Sequence, residues 1–133
     1  MMSGFKKEAF QKVVYFSHDG SGAGGSPDDA LAIVDGSVMD IDAGMVIEEV
    51  LLVVTEAVTG ATQLDLGDGT DPDGFVAAAT LTLDAVTRSN GAYLDNSGAG
   101  LAKYYAAADT LDLDVTGSST AGKFAVVVSG YKI

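Results

Sequence analysis

A chain of 133 residues, 47% of them hydrophobic, is long enough for one domain with its own core. It has no cysteine, which excludes disulfides, thiol nucleophiles and cysteine-ligated zinc. Nineteen acidic residues against seven basic ones give a net charge of −12, which argues against nucleic acid and anionic membrane surfaces as partners.

The first twelve residues stand apart. Lys6, Lys7 and Lys12 face only one acid there, Glu8, and Phe5 and Phe10 lie among them. We expect Met1–Lys12 to form a basic arm whose Phe5, Lys6, Lys7, Phe10 and Lys12 dock on an acidic neighbour. The opening run lacks the apolar core of a signal peptide, and no stretch approaches the ~18 apolar residues of a membrane span. A soluble protein made in the cytoplasm is expected.

Residues 13–133 are expected to form one domain. Short apolar runs rich in Val, Thr and Tyr alternate with Gly, Ser, Asp and Asn clusters, the rhythm of sandwich strands. Lys12–Ser17 reads as a strand, and His18–Asp29 as a loop with four glycines. Gly20–Gly25 formally matches a dinucleotide-binding glycine pattern, but no helix follows to hold a pyrophosphate. His18 is the only histidine, so a histidine-built zinc site is impossible, and its neighbour Asp19 alone does not make a relay.

Ala30–Asp35 reads as a strand and Gly36–Gly44 as a turn region. Met45–Ala57 is the longest apolar segment. Its spacing also fits a helical face, and its β-branched content decides for a strand. Both faces of Val50–Val54 are apolar, so cover is expected on both sides. Val50, Leu52 and Val54 are candidates for a subunit interface.

Thr62–Gly67 alternates and enters an acidic turn. Strands are expected at Gly74–Ala79 and at Thr80–Asp84, the latter with Leu81 and Leu83 on one face. Val86–Gly100 reads as a loop, and Leu101–Ala108 as a strand or helical turn. Thr110–Thr116 places Leu111, Leu113 and Val115 inward. A turn at Gly117–Gly122 then precedes a last strand, Lys123–Lys132. The total is about eight strands, the natural content of an antiparallel β-sandwich of jelly-roll type.

The one cluster of hard oxygen ligands is Asp68, Asp71 and Asp73 in the turn Leu64–Gly74. Calcium takes six to eight such oxygens, but this spacing is not that of an EF-hand and no bidentate Glu follows. Asp, Pro and Gly in this order also fix a sharp backbone corner by themselves. We therefore expect no metal and no other cofactor. No catalytic constellation is legible, so no enzyme is expected.

Two segments carry a resemblance. Asp42–Val50 is a polar-Ala-Gly turn entering an apolar strand, and Leu64–Phe75 is a strand ending in GDGTDPDGF. This layout, from about Asp42 to Ala79, resembles small β-sandwich virion proteins of tailed bacteriophages, of the capsid cement or decoration type. The resemblance implies a structural protein on the outer surface of the phage head that stabilises contacts between capsomers. It further implies the major capsid protein and a homotrimer of the chain itself as partners. The alternatives are another virion component of the head fibre, neck or tail, and a carbohydrate- or calcium-binding β-sandwich module.

Overall fold

The computed structural model describes residues 8–18, 36–94 and 102–133, with 18, 36 and 118–120 described by backbone alone. Within them lie six strands: β1 (Glu8–His18), β2 (Gly36–Ile41), β3 (Met45–Gly67), β4 (Val86–Arg88), β5 (Lys103–Tyr104) and β6 (Asp109–Lys132). All pairings are antiparallel.

Two long strands organise the fold. β3 and β6 run side by side from Met45 opposite Lys132 to Gly67 opposite Asp112. Their register shifts repeatedly between Val54 and Gln63, and Gly60, Gly117 and Gly122 there have φ of +87°, +88° and +143°. Only glycine takes such angles without strain. A Cβ at Gly122 would also lie 2.7 Å from the Cα of Val58. The ribbon bends at these residues and keeps its pairing.

The bend divides one sheet into two facing halves. In the first sheet, β1, the second half of β6, the first half of β3 and β4 lie side by side, with β5 on the same β3 edge. In the second sheet, β2, the first half of β6 and the second half of β3 are neighbours, closed by a single bridge between Leu66 and Val76. Alternate side chains of both face one core: Phe16, Leu52, Val54, Phe124 and Val126 from the first, Ile41, Leu64, Leu66, Leu111 and Leu113 from the second. The fold is all-β, an antiparallel β-sandwich of jelly-roll type.

The expected strands at Lys12–Ser17, Met45–Ala57, Thr62–Gly67, Thr110–Thr116 and Lys123–Lys132 all lie in β1, β3 or β6. The expected breaks after Ala57 and at Gly117–Gly122 are instead bends inside continuous strands, and this accounts for part of the difference between about eight and six. Gly36–Gly44 is not all turn: Gly36–Ile41 pairs with β6, and only Asp42–Gly44 turns. Val86–Arg88 and Lys103–Tyr104 are short strands because the β3 edge offers partners there.

Gly74–Ala79 and Thr80–Asp84 are not strands. Positive φ at Ala78 (53°) and Asp84 (66°) breaks their alternation. The segment follows the β3 edge through scattered bonds, such as Ala79 N to Leu64 O and Val58 N to Leu81 O. Leu81 therefore packs against the core, whereas Leu83 is exposed. Ala30–Asp35 and the glycine-rich segment with Gly20–Gly25 lie outside the described residues.

Candidate functional site

The acidic turn is built around one carboxylate. Asp68 is buried where β3 ends, and both its oxygens are taken. Oδ1 accepts the backbone N–H of Thr70 and of Asp71, each at 2.9 Å, and the Tyr93 hydroxyl at 3.1 Å. Oδ2 accepts the Tyr105 hydroxyl at 2.7 Å. The turn also closes through backbone bonds from Asp68 N and Gly74 N to Asp71 O.

Two aromatic rings bring distant sequence to this corner. Tyr93 packs edge-on to the buried Phe75, centroids 5.2 Å apart. Lys103 Nζ stands 4.4 Å from the centre of the Tyr93 ring and 5.5 Å from that of Tyr105, close enough for the rings to attract the ammonium. Glycine is needed at position 74, where a Cβ would lie 2.5 Å from the Tyr93 ring.

Burial alone would raise the Asp68 carboxyl, but hydrogen bonds from Tyr105, Asp71, Thr70 and Tyr93 outweigh it and hold the group below its ordinary range. Burial and the Asp68 charge push the hydroxyls of both tyrosines up, so they stay protonated as donors. Asp73 sits outside this node. A hydrogen bond that its protonated carboxyl donates to Asp71, slight burial and the Asp71 charge raise its pKa.

The three aspartates therefore do not converge as a ligand set. Asp68 points inward and is saturated, while Asp71 and Asp73 engage each other. Among the described residues no group of three His, Cys, Asp or Glu side chains is placed to hold a metal ion. An open hollow of about 370 Å³ beside the turn is lined by Ser37, Asp68, Pro72, Asp112 and Asp114 among others. It is wide open and flanked by carboxylates, unlike the enclosing pockets that bury most of a small ligand.

The other expected site residues fall in the first sheet. Val50, Leu52 and Val54 are 0%, 0% and 1% exposed, inside the chain's own core. The second apolar face of that stretch is carried by Leu51 and Val53, both half-buried. Phe10 is half-buried against the core and Lys12 is exposed, paired in β1 with Gly130 and Val128. Residues 8–12 of the expected arm are thus part of the sheet. Phe5, Lys6, Lys7 and the side chain of His18 lie outside the described residues.

Residues missed in the sequence include Tyr93 and Tyr105, 25 and 37 positions from Asp68. Asp65 is another. It is buried and accepts Gln63 Nε2 and the N–H of Ala78, fixing the left-handed backbone at Ala78.

The described residues thus form a sandwich with an occupied core, a saturated acidic corner and a second apolar face carried by Leu51 and Val53. Solved structures with a similar fold include chains of phage capsids. A chain in the cyanophage Pam1 capsid asymmetric unit superposes with a TM-score of 0.63 at 17% identity, over 100% of this chain and 92% of that one. One in the acid-stable capsid of the Helicobacter pylori bacteriophage KHP30 gives 0.58 at 12% identity, over 96% and 94%. One in the capsid of Ralstonia phage GP4 gives 0.58 at 18% identity, over 94% and 84%. No family model and no curated protein sequence matches the chain. What these chains share with this one is the fold.

Proposed function

We propose that the chain is a capsid cement or decoration protein, bound to the outer surface of a tailed-phage head and stabilising contacts between capsomers. The observation that carries this reading is that each superposition spans nearly the whole of both chains. The likeness is therefore to small separate subunits of about this length, not to a domain of a large shell-forming chain. The acidic turn adds support as a rigid corner, which suits an assembly part better than a ligand site. The partners in this reading are the major capsid protein and further copies of the same chain, as a homotrimer.

The basic arm adds the docking element. Since Glu8–Lys12 pairs with Val128–Lys132, the docking role in this reading is assigned to residues 1–7, with Phe5, Lys6 and Lys7. The test is binding to mature shells of the same phage that lack this chain. The full chain is expected to saturate them, and a variant without residues 1–7 to bind at least about tenfold more weakly with an unchanged melting temperature. Equal binding by the variant would remove the arm from the account. No binding by the full chain would remove the cement role.

A further inference from the structure

The outward face of the first sheet is apolar across its strands. Register aligns Tyr15, Ala125, Val53 and Val86 in one row. The next row is Val13, Val127 and Leu51, ending on Arg88. Tyr15 is 59% exposed, Val86 56% and Val13 40%. A solvated antiparallel face ordinarily alternates to polar residues. A contiguous apolar patch rimmed by polar groups marks a contact surface.

The charges say what can cover it. No Lys or Arg occurs from Val13 to Thr87 or from Tyr104 to Gly122. Among the described residues the strands of the second sheet hence carry carboxylates and no Lys or Arg. Lys12, Arg88, Lys103, Lys123 and Lys132 all lie in the first sheet, against Glu8, Glu48, Glu49 and Glu56. The rim of the patch is neutralised within the chain, with Arg88 paired to Glu49 and Lys123 to Glu56.

We infer that copies of this chain meet through the outward face of the first sheet, their acidic second sheets turned away from the contact. Second sheets brought together would oppose like charges, which costs association. First sheets bring together apolar rows whose flanking charges are already paired. Edge-to-edge addition at β1 is blunted, because Lys12, opposite the buried Val128, puts a charge on the inner side of the edge strand. The inference rests on the self-association in the function proposed above and assigns it a surface.

The test is the mass of the full chain by light scattering and sedimentation at micromolar concentration. The unaltered chain is expected to be oligomeric, and higher salt to strengthen association by screening the acidic sheets. The double variant Tyr15→Glu/Val86→Glu alters two exposed side chains, so it should fold, with an unchanged circular dichroism spectrum. It should associate at least about 100-fold more weakly. Thr70→Glu on the acidic turn should leave the mass of the assembly unchanged. A monomeric unaltered chain, or a double variant that keeps the full mass, overturns the inference. A monomer that still coats shells would do so while leaving the cement role standing. An oligomer that fails to bind shells would do the reverse.

Discussion

Replacing Asp68 with alanine is expected to lower the unfolding midpoint by about 10–20 °C, the largest effect of any polar substitution in the described part of the chain. The carboxylate accepts four hydrogen bonds while buried. Removing it leaves two amides and two hydroxyls without their acceptor, and hydrogen bonds to a charged group contribute about 1.5–3 kcal/mol each. Partial rehydration of the turn brings the sum to about 3–5 kcal/mol, in the range of broken buried networks. For a domain of this size that is a shift of about 3–5 °C per kcal/mol. Tyr105→Phe, which removes one donor and leaves three, should cost about 1–2 kcal/mol.

The pH dependence has a definite sign. The folded state holds Asp68 below the ordinary value of 3.8. Its contribution is therefore complete above that pH and is lost as the pH falls through the lower, folded value. Urea unfolding of the unaltered chain and of Asp68→Asn, followed from neutral pH downward, checks this. The unaltered chain should lose stability below about pH 4 more steeply than the variant. Parallel curves would mean that this carboxylate does not set the acid limit.

Phe124→Ala should destabilise the sandwich by about 3–5 kcal/mol through the cavity it leaves. Phe124 is 1% exposed in the middle of the first sheet, opposite Phe16 on β1 and Val54 on β3. Its ring stacks on Phe16 at 4.8 Å and 11°, and such pairs contribute about 0.5–1.5 kcal/mol beyond burial. Removing it loosens β1 and β3 together. The check is the urea midpoint at constant slope. A change below about 1 kcal/mol would show that the site collapses around the smaller side chain.

What the sequence revealed follows from where its periodicity is unbroken. Val50, Leu52 and Val54, or Leu111 and Leu113, alternate cleanly because their stretches of β3 and β6 are regular. β2 was hidden for the opposite reason. A register shift between Ser37 and Met39 puts the consecutive residues Val38 and Met39 both inside, which erases the period of two. Glycines near positions 60 and 117–122 look like chain reversals, yet they bend two long strands that stay paired.

The site was legible in half. Asp68, Gly69, Asp71 and Pro72 announce a turn from local chemistry alone. The tyrosines that saturate Asp68 arrive through tertiary packing and leave no local signal. The apolar interface residues chosen from the sequence show the same limit. A run apolar on both faces does not say which face the chain keeps for itself, and here it keeps Val50, Leu52 and Val54 and leaves Leu51 and Val53 outside.

We propose a small sandwich protein fixed to the outside of a phage head. Electron cryomicroscopy of the purified particle that carries this chain tests it most directly. The expected result is density for the bent β3–β6 ribbon on the outer shell surface where capsomers meet, with the acidic sheet facing solvent. Finding the chain inside the head or on the tail would contradict it.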